Sequence, residues 1–130
     1  MNPGRSCVQC HAETNDATHA PLYTLAGTVM EASDEENDCR GADGMTVTIV
    51  DAAGVEFPML ANSAGNFWLA PDVLVAMPYT ARIEDAYGNV SVKQTPVSDG
   101  DCTSCHTPTL GGTSPGRLVP PGQPVVPAEP

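Results

Sequence analysis

The chain has 130 residues, including 13 Pro and 12 Gly, with 5% aromatics and a formal net charge of −11. That length suits one domain, and so small a supply of large apolar side chains calls for a stabiliser beyond its own core. The acidity disfavours nucleic acid and anionic lipid as partners and favours basic proteins or cations; no apolar run reaches the roughly 18–20 residues that span a bilayer.

Residues 1–21 read as an irregular segment. Asn2-Pro3-Gly4 forms a turn, Cys7-Val-Gln-Cys10-His11 follows, and a polar loop runs to His19 and Pro21. The Cys-x-x-Cys-His pentapeptide is expected on a short helical turn. Residues 22–97 change character to short alternating runs. Leu22 to Glu31 reads as the first strand, and the acidic loop 34–44, containing Cys39, follows it. Met45 to Asp51 puts Val47 and Ile49 on one face and Thr46 and Thr48 on the other. Asp51-Ala-Ala-Gly54 then predicts a hairpin turn into Val55 to Leu60. In Gly65 to Ala70, Phe67 and Leu69 share a face opposite Trp68. Residues 71–78 have room for a helical turn limited by Pro71 and Pro78. Tyr79, Ala81 and Ile83 alternate with Thr80, Arg82 and Glu84, and the turn Asp85-Ala-Tyr-Gly-Asn89 leads to Val90 and Val92 on the last strand. Short strands at this spacing predict an all-β, antiparallel sandwich. Residues 98–116 carry Cys102-Thr-Ser-Cys105-His106. The Pro-rich stretch 117–130 favours extended polyproline II and reads as a flexible tail or linker; if ordered, it would lie on a haem face or a neighbouring subunit.

The two pentapeptides dominate the reading, because the chain has only five Cys and three His. Cys-x-x-Cys-His is the attachment sequence of c-type haem. Its thiols form thioethers with the two vinyl groups, and the adjoining imidazole binds the iron. A zinc ribbon would separate the cysteine pairs by roughly 15–20 residues, whereas here nearly the whole domain intervenes. Zinc would not require a His after each pair, and two disulfides would leave both His unexplained. A thioredoxin-like dithiol needs a βαβ setting that the pattern lacks. Two haems are therefore expected, held by Cys7, Cys10 and His11 and by Cys102, Cys105 and His106. Covalent haem attachment is expected in the periplasm or outside the cell, and a leader is then expected to have been removed ahead of Met1.

The middle of the chain resembles the carboxypeptidase-regulatory or transthyretin-like sandwich family. The likeness rests on Ala26-Gly27-Thr28-Val29, Thr46-Val-Thr-Ile-Val-Asp51, Asn62-Ser-Ala-Gly-Asn-Phe67 and Pro78-Tyr-Thr-Ala81. The whole chain, to about residue 120, is similar to small secreted dihaem proteins in which two such motifs flank a sandwich of this kind. Pro3-Gly4, Gly100-Asp101 and Pro115-Gly116-Arg117 fit that pattern. The resemblance implies an Ig-like or transthyretin-like sandwich with irregular haem-binding segments at both ends, and a binding or structural role for the sandwich itself.

The expected function is electron transfer by a carrier rather than an enzyme. Redox proteins or extracellular acceptors are its expected partners. The rival classes are a dihaem peroxidase-like oxidoreductase, which needs an open iron position and distal acid–base residues, and a binding or structural module stapled by haem. Two six-coordinate irons need four axial ligands, and His11 and His106 provide two. His19 is the expected third. The fourth falls to one of the five Met, with Met1 leading, to Lys93, or to another chain. Donation between subunits would build a homo-oligomer or, repeated head to tail, a filament. Strand parity bears on haem spacing: if the strand entering Cys102 and the first strand are parallel neighbours, the motifs lie at opposite poles; if they leave at one end, the haems stack. The acidic loop has oxygen ligands suited to Ca²⁺ but lacks the EF-hand spacing, so an exposed loop is the favoured reading. Cys39 is left over as a buried thiol or an inter-chain bridge.

Overall fold

Three turns of one design set the strand connections. Asp51, Asn62 and Asp85 each fold a side-chain oxygen back onto the backbone N–H groups two and four residues on. The distances are 2.9 and 2.9 Å for Asp51, 3.0 and 3.0 Å for Asn62, and 2.8 and 2.9 Å for Asp85. In each turn the third residue on is Gly in the left-handed region, with φ of 81°, 74° and 84° for Gly54, Gly65 and Gly88. Asp and Asn suit this role because their short side chains mimic a backbone carbonyl.

The computed structural model describes residues 3–11, 22–35, 39–108 and 114–124. In chain order the elements are α1 (Cys7–Cys10), β1 (Leu25–Thr28), β2 (Thr46–Val50), β3 (Glu56–Leu60), β4 (Asn66–Leu69), β5 (Tyr79–Glu84), β6 (Val90–Val97) and α2 (Cys102–Cys105). The strands form a two-stranded sheet, β1-β4, and a four-stranded sheet ordered β3-β2-β5-β6, with every strand pair antiparallel. The Asp51 and Asp85 turns close the hairpins β2-β3 and β5-β6, as expected. The Asn62 turn carries the chain from one sheet to the other.

The two sheets share one core. Leu25, Phe67 and Leu69 come from the small sheet, and Val47, Ile49, Tyr79 and Ile83 come from the large one. The alternation expected in β4 holds: Phe67 is buried while Trp68 is 39% exposed. Thr48 departs from its expected outer position and is buried. It lies on a central strand between Pro58 and Arg82, and Arg82 reaches over that face to Glu56 at 2.7 Å.

Three expectations need correction. The first strand is shorter than Leu22–Glu31, its ladder covering Leu25–Thr28. Beyond it, Val29 and Met30 make isolated bridges to Leu118 and Gly41. No helical turn forms over 71–78, where the chain makes only a bend closed by Val73 N–H on the Ala70 carbonyl at 3.1 Å. The tail does not begin free at Arg117. The Met30 N–H donates to the Leu118 carbonyl at 2.8 Å, and Arg117 and Val119 are buried. Composition flagged the prolines there but missed Leu118 and Val119, which give this stretch an apolar seat. Residues 125–130 lie outside the described residues.

Candidate functional site

Both Cys-x-x-Cys-His segments form one helical turn, closed alike. The His11 N–H donates to the Cys7 carbonyl, and the His106 N–H to the Cys102 carbonyl, each at 2.9 Å. A polar residue of helix-capping type precedes each turn. Ser6 caps α1 by accepting from the Gln9 N–H at 3.3 Å. Asp101 occupies the same place before α2, but its side chain makes no capping bond. Its carboxylate instead accepts from the Ser6 hydroxyl and, at 2.7 Å, from the Thr103 hydroxyl. That Thr103 hydroxyl also lies 3.1 Å from the Arg5 carbonyl. The two motifs, separated by most of the sequence, are thus tied together.

Strand β1 seats them both. Residues 3–11 lie along it: the Gly4 N–H donates to Thr28 Oγ1 at 3.2 Å, and the His11 ring stacks on Tyr23 with centroids 4.3 Å apart. Tyr23 in turn stacks on Trp68 at 5.6 Å. Thr28 donates to buried Asn66 at 2.7 Å, which anchors this side chain beneath α1. Along the edge of β1, the Ala26 N–H donates to the Gly100 carbonyl at 2.9 Å, and Ala26 and Asp101 form a parallel bridge. Gly27 allows the approach of α2. A Cβ there would stand 2.8 Å from Cys102 Cβ and 2.6 Å from Phe67 Cζ.

The parity condition is not met: β6, the strand that runs towards Cys102, lies in the four-stranded sheet, while β1 pairs with β4. The motifs are neighbours all the same, with Asp101 bridging in parallel to Ala26 of β1. The reason is that residues 3–11 lie back along β1 instead of extending beyond its start.

The second motif opens on a cleft of 490 Å³, within the roughly 300–1,000 Å³ typical of cofactor sites. Ile49, Phe67, Ala81 and Ile83 form its apolar floor, and Cys102, Cys105 and His106 line it together. His106 Nδ1 lies 2.8 Å from the Gly116 carbonyl. That contact assigns the ring proton to Nδ1 and leaves the Nε2 lone pair for a metal, a common arrangement in metal-binding His. Burial outweighs this hydrogen bond and holds the imidazole below its ordinary pKa, so the ring is neutral at pH 7. The Cys102 thiol is pushed up to about 12, first by burial; the Tyr79 hydroxyl counters this, and Asp101, Cys7 and Asp99 add to it. Burial, then the Asp101 carboxylate, also raises Cys7. An apolar cleft with two thiols and a correctly oriented imidazole on its wall fits a haem.

The six expected attachment residues are thus gathered on one strand. His19 and Met1 lie outside the described residues, as do residues 36–38 of the acidic loop. Among the described residues no group of three or more His, Cys, Asp or Glu side chains is arranged to hold a metal ion by itself. Sequence reading missed the Ser6–Asp101 tie, although a capping-type residue directly before each motif was its visible signal. It also missed the approach that Gly27 permits and the Gly116 contact, neither of which has a local signature. No protein-family model, curated protein or solved structure matches the chain.

Proposed function

We propose that the chain is a dihaem c-type cytochrome that carries electrons, with its haems attached side by side on β1. The observation that carries this reading is the pair of identically closed Cys-x-x-Cys-His turns on one strand, one of them opening on an apolar cleft. Haem supplies reversible one-electron chemistry at iron. The chain's own residues attach, orient and enclose it. Cys7 and Cys10 would hold one haem and Cys102 and Cys105 the other, with His11 and His106 as proximal ligands. Gly116 fixes the His106 tautomer, and the apolar floor excludes water from the second site. Proximity of the two attachment turns supports transfer within a single subunit. The shared core between two antiparallel sheets supports an Ig-like or transthyretin-like sandwich as the scaffold.

Covalent haem supports a periplasmic or extracellular location, and the acidic surface supports basic redox partners. A shortage of His ligands supports His19 as a distal ligand, with donation from a second subunit as its route to a filament. The test is the intact mass of the full chain after expression with c-type maturation machinery, together with a pyridine-haemochrome assay. Two haem additions are expected, falling to one in Cys102→Ala/Cys105→Ala. A mass without additions would overturn the reading.

A further inference from the structure

We propose that Lys93 supplies the second axial ligand to the haem held by Cys102, Cys105 and His106, an inference that rests on the dihaem reading. Lys93 is on β6, paired in register with Ala81 of β5. Directly paired residues share a sheet face, and both Ala81 and Lys93 line the cleft. His106 lines the same cleft, held by Gly116 on the C-terminal segment that carries Arg117 and Leu118. A haem attached at Cys102 and Cys105 would lie in this cleft, within reach of its lining residues.

On the sheet side the choice of donor is narrow. Val47, Ile49, Ala81 and Ile83 have no side-chain lone pair, Tyr79 has its hydroxyl engaged with the Asp99 carbonyl, and Ser91 and Thr95 offer only neutral hydroxyls. Arg117 has no acceptor lone pair to offer. Asp101 is committed to Ser6 and Thr103, and Asp99 Oδ1 accepts from the Asp101 N–H at 2.8 Å. Among the described residues no Met lines the cleft; Met30 and Met59 are packed in the core at 1% and 5% exposure. Lys93 is the chain's one lysine. It is half-buried, its four-carbon stem gives reach, and the small Ala81 beside it leaves room. On binding, the ammonium gives one proton to solvent and the nitrogen lone pair forms the bond to iron. No electron changes hands.

A lysine facing inward on an edge strand has two other uses. It can guard the edge against strand addition, or it can pair with a haem propionate. Both roles need only the charge, and Arg would perform either. The test uses the full chain, its two haem additions first established by mass. Electron paramagnetic resonance and near-infrared magnetic circular dichroism of the untreated protein are expected to show one low-spin haem with amine–imidazole ligation. Lys93→Leu and Lys93→Arg are both expected to keep two haems and to convert half of the haem to high spin. Low-spin haem retained in full by Lys93→Arg would overturn the proposal in favour of a charge pair or an edge guard. A wild-type spectrum without amine ligation would overturn it even if the variants fail to mature. Absence of haem in the mass spectrum would instead remove the dihaem reading itself.

Discussion

The Ser6 hydroxyl donates to the Asp101 carboxylate across 95 residues of sequence. Each residue immediately precedes a Cys-x-x-Cys-His turn, so this hydrogen bond fixes one motif against the other. Asp101 could have capped its own helix, which is the ordinary use of Asp at that position. It binds the other motif instead, and Thr103 adds a second link to Arg5.

Asp101→Ala removes the acceptor of two side-chain hydrogen bonds, one of them between motifs. Hydrogen bonds to charged groups contribute about 1.5–3 kcal/mol. The variant is expected to lose stability by about that amount, read as a lower urea midpoint at unchanged m. The haem count by mass should stay at two, because attachment uses the Cys and His. An unaltered midpoint would show that the tie is not formed in solution.

Gly27→Val tests the close approach of α2 to β1. A Cβ alone would overlap Cys102 Cβ and the Phe67 ring, and overpacking of this kind costs roughly 1–3 kcal/mol. A lower melting temperature is expected, with a perturbed Soret band for the second haem. A Gly44→Val control, strained by its φ of 72° but with a Cβ that would meet nothing within 4 Å, should lower the melting temperature yet leave the Soret band unchanged.

Asp51 makes part of the fold's stability depend on pH. Its carboxylate is held below the usual range mainly by the Val55 N–H, with Ala76, Ala53 and Gly54 contributing and burial opposing. A depressed folded pKa means stability that is present above the unfolded value, about 3.9, and lost as pH falls through the folded one. Asp51→Asn should therefore lower the melting temperature at pH 7, and the gap from wild type should close below about pH 4. Parallel melting curves from pH 7 to pH 2 would show that the turn does not depend on the charge.

His19→Ala is expected to convert one haem to high spin, and combination with Lys93→Leu should convert both. Absorption and electron paramagnetic resonance read the two fractions directly. An unchanged low-spin spectrum in the single variant would remove His19 from the iron, and the first haem would then need Met1, another Met or a donor from another chain.

The sequence was most informative where chemistry is local. The Asp51 and Asp85 turns, the Phe67/Trp68 alternation and both pentapeptides each occupy a few consecutive residues, and each was readable. Thr48 was misplaced because its burial comes from Arg82, 34 positions later, reaching over the sheet. The Pro-rich end was misread because proline content describes backbone stiffness and says nothing about where Leu118 will dock. Strand parity was no guide for a related reason: β1 and β6 belong to different sheets, and the position of residues 3–11 is set by Thr28 and Asp101 side chains.

The tie between Ser6 and Asp101 also bears on the order of events in making the protein. Cys7 is buried once α1 lies on β1, so on the proposed dihaem reading thioether formation at that position comes before the chain reaches its native state. Contacts between distant residues carry the largest loop-closure cost and form slowly, and this one closes 95 residues. The first motif consequently stays open to the attachment machinery until the second has been synthesised. Native docking of the two turns then marks the end of maturation, and a chain loaded with both haems is the one prepared to complete it.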